Sequence, residues 1–348
     1  MGLATDKGNR RARFNRLFSL AGLAVGGGIL AALCVHVGRT ADLRALLGQL
    51  RPLWLVGAAL CVPFSESVDA LILYGMGRSA GCPVRLAGCF DAAYIGEFYY
   101  KLGPAGAPVQ LKLMYDAGMS ATYTASIYIW KAVANTLVYT GYAVAALLFE
   151  LLWRQEGLGP AVAGAGVLIA LYVFLCGLAF FTAVRPAPIQ RLIRRILTFL
   201  SRRWKVMARP GMVDKGMAKV EEFCRQLAAL KDNKRMLAGV FAGMFVELTA
   251  LYAIPWFLYR GLGLTGTPFW ELLLVQCLVL VLSRVIMLPG NAGGAEGSFF
   301  LFMGPIFGGH LAVGLVLWRF AAFLEVLLLG GAWSVLRFAR RSAAARLT

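Results

Sequence analysis

At 348 residues, 59% hydrophobic and only 15% charged, with a mean hydropathy of +0.70, the chain carries more apolar surface than a soluble globular fold needs and reads as a polytopic membrane protein. Its net charge of +18 is concentrated in three places, +4 over residues 1–16, +10 over 185–235 and +4 over 337–348. These basic segments flank apolar runs and suit anionic lipid headgroups, so the charge does not indicate nucleic-acid binding.

About 20 helical residues cross a hydrocarbon core of about 30 Å. Apolar runs of that length occur near 17–37, 53–77, 122–149, 160–184, 236–259 and 311–336, which predicts an all-α protein with six full transmembrane helices. The tail 1–16 places Arg10, Arg11, Arg13 and Arg16 before the first run. The run ends in Ala31-Ala32-Leu33-Cys34, which lacks the small residues that cleavage needs, so it is expected to be a retained signal anchor.

After the second run comes YIGEFYYKLGPAGAPVQLKL, residues 94–113. A short apolar helix carrying Lys101 meets Pro104 and Gly106, and a second short helix follows. The arms, roughly 88–103 and 105–118, would be about 20–24 Å long at 1.5 Å per residue, too short to span, so this segment is expected to be a re-entrant hairpin near 88–118. Residues 185–235 mix apolar and basic residues at helical spacing, as in IQRLIRRILTFLSRRW. They predict amphipathic helices on the inner leaflet, with a partner-binding platform as the alternative.

A related break, SRVIMLPGNAGGAEGSFFLF, occupies residues 283–302, with Arg284 before Pro289 and then Gly293 and Gly294. It predicts a second hairpin near 269–308. Each break is followed by a tryptophan and a basic residue in the next helix, Trp130-Lys131 and Trp318-Arg319. The positive-inside rule places all three basic segments in the cytoplasm only if both hairpins turn back on themselves. The chain then divides into two inverted-topology repeats, 17–184 and 236–336, with cytoplasmic tails 1–16 and 337–348.

Broken helices expose backbone polar groups that a membrane tolerates only beside protein or a watery cavity, and charges at depth default to a functional reading. The candidates that would line such a cavity are Lys101, Lys131, Arg284 and Arg319 with Glu97, Glu247, Glu296, Asp69, Gln110 and Asn135. Glu66 and Asp69 are three apart on one helix face, and Glu97 and Lys101 are four apart. Arginine offers a planar donor fork suited to phosphate, and the small residues of AGGAEG allow close approach of an anion to backbone amides. The plainer reading of the charges is internal salt bridges holding hairpins to their neighbours. Asn135 reads equally as a bond between helices.

Catalytic and metal chemistry find little support. The two histidines, His36 and His310, sit near span ends and outside any HxxxxD or HExxH box, there is no DxD pair, and no GxxxxGK[ST] loop binds ATP. The seven cysteines form no CxxC pair and read as core fillers. No cofactor or metal is expected.

With Pro104, Gly106, Gln110 and Lys112 in the first break, Pro289, Gly293, Gly294 and Glu296 in the second, and Arg319 beyond, the chain resembles the flippase-like family that includes the transmembrane domain of lysylphosphatidylglycerol synthases. The resemblance covers roughly residues 20–338. It implies translocation of a polar-headed lipid through a cavity between two re-entrant hairpins. Gln110 and Lys112 depart from the more acidic, arginine-containing pattern expected there, and no aminoacyl-transferase domain follows, so synthesis of a lysyl-lipid by this chain is not expected.

The resulting expectation is a non-enzymatic lipid transporter for an anionic, aminoacylated or glycosylated lipid. The alternatives are a non-catalytic membrane partner of a lipid-modifying enzyme, as in hopanoid or sugar-lipid synthesis, and a membrane-embedded transferase using Glu296 as base. The partners are membrane lipids and the lipid substrate, with a second copy or a lipid-synthesis enzyme as the protein partner left open.

Overall fold

A computed structural model describes Gly28, residues 50–103, 106–154, 159–184, 232–283, 291 and 293–346, and scattered positions between 191 and 225; all regular structure among these is helical. The expected first span 17–37, most of the amphipathic segment 185–235, Pro104, Arg284 and Pro289 lie outside the described residues. Four apolar helical stretches are long enough to cross a membrane: Pro52–Ser79, Tyr123–Leu152, Lys234–Gly261 and one within Gly294–Arg340.

Helix α1, Pro52–Ser79, starts with proline at its first position, where the missing N–H costs no bond, and ends before Gly81 at φ 72°. Helices α2, Leu86–Leu102, and α3, Gly106–Asp116, follow. Next come α4, Ala121–Phe149, whose first turn is capped by Ser120 accepting from the Tyr123 N–H, and α5, Gly159–Val184. Helix α6, Lys234–Gly261, is capped by Asn233 and lies antiparallel to α1. The Arg51 N–H donates to Gly261 O at 2.8 Å, while Gly243 meets Ile72 nearer the other end.

The first break is an antiparallel pair of short helices. At its outer end the Arg85 N–H donates to Ala117 O at 3.1 Å, and Gly88 lies against Ala117. Midway, Gly96 faces Gln110. At the turn Gly106 sits on the Tyr100 backbone, where a Cβ would come within 2.6 Å of Cα. Both outer ends gather beside the last turn of α1, with Gly77 against Val84 and Met119.

Helices α7, Phe269–Ser283, and α8, Gly294–Phe307, pack together as a second pair. Its outer ends gather at the C-terminus of α6, with Phe269 edge-on to Trp256 and Phe307 edge-on to Tyr259. Because α1 and α6 are antiparallel, their C-termini lie at opposite ends of the bundle. The two helix pairs therefore start from opposite ends.

The apolar run Gly294–Arg340 is not one rod. Gly308, at φ 51° and ψ −128°, ends α8, and after the turn Gly308–His310 the chain reverses into α9, Leu311–Arg319. The pairing of Gly304 with Leu311, Phe299 with Trp318 and Glu296 with Arg319 records that reversal. A π-helical turn, Phe320–Leu324, then leads into α10, Glu325–Arg346. This single helical path from Leu311 carries the expected 311–336 span.

Helix α10 packs on α2 through Gly330, where a Cβ would lie 2.5 Å from Phe98 Cβ and 2.7 Å from Tyr94 O. Gly330→Ala is expected to lower stability by about 1–3 kcal/mol through overpacking. Gly239→Ala, whose Cβ would meet nothing within 4 Å, should be neutral or slightly stabilising. Thermal unfolding of the two variants in detergent micelles checks both outcomes.

Candidate functional site

Two buried charge centres form around the two helix pairs. In the first, Lys131 of α4 reaches Asp69 of α1, with Nζ donating to Oδ2 at 2.7 Å. Asp69 lies ten residues before the end of α1, and Lys131 ten residues after the start of α4. Both are thus about 15 Å along their helices from the same end of the bundle. Gln110 of α3 donates to Asp69 Oδ2 at 3.3 Å and to Ala92 O of α2 at 3.4 Å, so one amide ties both arms of the pair to the ion pair.

Glu66, one turn before Asp69 on α1, and Glu247, in the middle of α6, lie within electrostatic range of Asp69, Lys131 and Glu97. Glu97 pairs with Lys101 on its own helix at 3.3 Å, both side chains being about one-third exposed. Asn135 reaches across to Met244 Sδ at 3.8 Å, which is the helix-to-helix contact of its plainer reading.

The second centre joins Glu296 of α8 to Arg319 of α9. Glu296 Oε1 accepts from Arg319 Nη2 at 2.6 Å and from Nε at 2.8 Å. Its other oxygen accepts from the Gly293 N–H at 2.6 Å, capping the helix that carries it. Arg319 also donates to Asn291 O at 3.4 Å. Asn291 at φ 52° and Gly293 at φ 84° provide the left-handed turn that aims these groups. The guanidinium lies over Trp318 and Phe323, and the π-helical turn begins at the next residue.

Four candidate groups of the first centre, Asp69, Lys131, Gln110 and Glu247, and two of the second, Glu296 and Arg319, are thus brought together in two separate places. Lys101 and Glu97 sit at the more exposed edge of the first. The repeated Trp-basic pairs take parallel roles with different partners: Trp130 and Trp318 are both buried, and each neighbouring cation meets one carboxylate. In the second pair that carboxylate comes from the hairpin arm itself. In the first, the corresponding arm holds Gln110, and the acid is supplied by Asp69 of α1. This accounts for the amide at a position where an acidic residue was expected.

A third polar group was not among the candidates. Arg337 of α10 pairs with Asp91 at 3.2 Å and Asp116 at 3.0 Å, Trp333 Nε1 donates to Asp91 at 2.9 Å, and Lys112 pairs with Asp116 at 2.7 Å. It fastens both outer ends of α2–α3 to α10. Its signal was a carboxylate near each end of the predicted hairpin, Asp91 and Asp116.

Removing one member of a buried pair leaves an uncompensated charge. Arg319→Met is therefore expected to cost about 3–5 kcal/mol, and adding Glu296→Gln should recover part of that loss. Breaking the partly exposed Glu97–Lys101 pair with Glu97→Gln should cost only about 0.5 kcal/mol. Unfolding midpoints of the three variants test the ranking, and a double variant no more stable than Arg319→Met would refute the pairing argument.

The family model described as the lysylphosphatidylglycerol synthase TM region matches residues 19–330. No curated protein matches the chain. The match spans both helix pairs, both charge centres and the helices that join them, and on that extent the chain belongs to the lysylphosphatidylglycerol synthase transmembrane-region family.

Proposed function

We propose that this protein moves a polar-headed lipid between the leaflets of a bacterial inner membrane, through a space between two re-entrant hairpins related as inverted repeats. The carrying observation is that α2–α3 and α7–α8 begin from opposite ends of the bundle and that a buried ion pair is bonded to one arm of each, through Gln110 in the first and Glu296 in the second. Arms of 17, 11, 15 and 14 residues extend about 16–26 Å, short of a bilayer core of about 30 Å. Arg78, Arg85, Lys234, Arg235 and Arg337 gather at the end where α2–α3 begins, which supports that end as cytoplasmic.

The ion pairs suit a transport site because they are exchangeable. A headgroup phosphate can take the place of Glu296 on Arg319, which offers a planar donor fork. Sugar hydroxyls or an aminoacyl amine can exchange with Gln110 and the carboxylates of the first centre. A headgroup carrying both a phosphate and an amine would take Arg319 with the one and the released Glu296 with the other, so that neither member of this pair is left bare while the lipid is bound. Membership of the family supports a lipid-related membrane role.

Proteoliposomes containing the purified chain and fluorescent phospholipid or polyprenyl-phosphate lipid should show lipid exchange that protein-free vesicles lack. Arg319→Lys, which keeps the charge and loses the fork, should slow it roughly tenfold, the effect of about 1.4 kcal/mol. No exchange with either lipid would reject the proposal.

A further inference from the structure

We propose that Glu66 and Glu247 form a proton-binding site beside the Lys131–Asp69 pair, reached from water past Glu97. Around this centre stand four carboxylates, Glu66 and Asp69 of α1, Glu97 of α2 and Glu247 of α6, and two ammonium groups, Lys101 of α2 and Lys131 of α4. Lys101 is taken by Glu97 and Lys131 by Asp69. Among the described residues, Glu66 and Glu247 have neither an ion pair nor a hydrogen bond.

Glu66 is nonetheless 9% exposed, and the groups whose fields reach it are Glu97, Asp69, Glu247 and Lys131. One oxygen of Glu247 is fully buried without a partner. Two uncompensated anions cannot share a low-dielectric interior with two further carboxylates unless positive charge is supplied. No cluster of metal-ligating residues occurs among the described residues, and a proton needs no cavity.

Access follows a gradient of exposure. Glu97 and Lys101 side chains are 33% and 30% exposed, Lys131 14% and Asp69 7%. Two tyrosines lie within electrostatic range of the site: Tyr94, whose hydroxyl donates to Pro63 O at 2.9 Å, of Glu66, and Tyr128 of Lys131 and Glu97. Bulk water delivers a proton at Glu97, and a carboxylate oxygen of Glu66 or Glu247 binds it as a carboxylic acid. Release reverses the step, and no bond other than O–H forms or breaks.

The site joins α1 and α6, which pack on each other, to α2, so movement of the first hairpin shifts Glu97 against Glu66 and Glu247. Proton occupancy therefore alters the charge that α2–α3 meets. Its coupling to lipid movement rests on the translocation proposed above, whereas the proton site itself does not.

Acid-minus-alkaline infrared difference spectra of the full chain in phosphatidylcholine nanodiscs provide the test. The wild type should show protonated-carboxyl bands, and Glu66→Gln and Glu247→Gln should each remove part of that intensity while eluting as folded protein. Bands unchanged in both variants would overturn the proposal, and so would their absence from the wild type. In proteoliposomes, an imposed pH gradient should change wild-type lipid exchange severalfold, and Glu66→Gln should lose that dependence. Carboxyl bands without lipid exchange at any pH would leave the proton site standing and reject translocation. Lipid exchange without the bands would do the reverse.

Discussion

Arg319 lies buried between apolar helices, and a guanidinium there requires a counter-charge that water cannot supply. Glu296 provides it while also closing the first turn of α8, so one side chain satisfies both a charge and a broken backbone. The left-handed turn at Asn291 and Gly293, the reversal at Gly308 and the stacking of Trp318 on Phe299 all serve to bring these two groups together. Two backbone groups beside the break, the Gly293 N–H and Asn291 O, are met by these two side chains.

The first hairpin solves the same problem with a different distribution of residues. Its cation, Lys131, comes from the helix that follows, as Arg319 does, but its acid comes from α1 and is linked to the hairpin through Gln110. A connection of this kind runs through three helices instead of two. It makes the position of α2–α3 depend on α1 and α4 together, and Arg337 with Asp91 and Asp116 adds α10 at the outer end. The second pair, by contrast, is stiffened by aromatic packing among Phe299, Phe307, Tyr259 and Trp318.

Much of the architecture was legible in the sequence. Lengths of apolar runs gave the long helices, because hydrocarbon thickness converts directly into residue number. Prolines beside clustered glycines marked both breaks, since proline removes a helical hydrogen bond and glycine admits turns at positive φ; Pro63 and Pro255, without such glycines, lie inside continuous helices. Lys131 and Arg319 were recognisable as special because charge at depth is costly. Glu66 shared a helix face with Asp69 in the sequence but carried no sign that it would lack a partner. Asp91 and Asp116 marked the two ends of the first hairpin, but their partner Arg337 lies more than two hundred positions away, where local spacing could not identify it.

The sequence by itself determined that this chain is an all-helical membrane protein of its family, with two interrupted regions and its charge confined to a few places. Those properties depend on local composition and spacing, which the bilayer reads directly. Only the tertiary structure decided which charge meets which: Lys131 with Asp69, Arg319 with Glu296, Lys101 with its own neighbour, and Glu66 and Glu247 with neither. Pairing is a property of distance in space, and here it was settled by the antiparallel packing of α1 on α6 and by the reversal of the chain at Gly308.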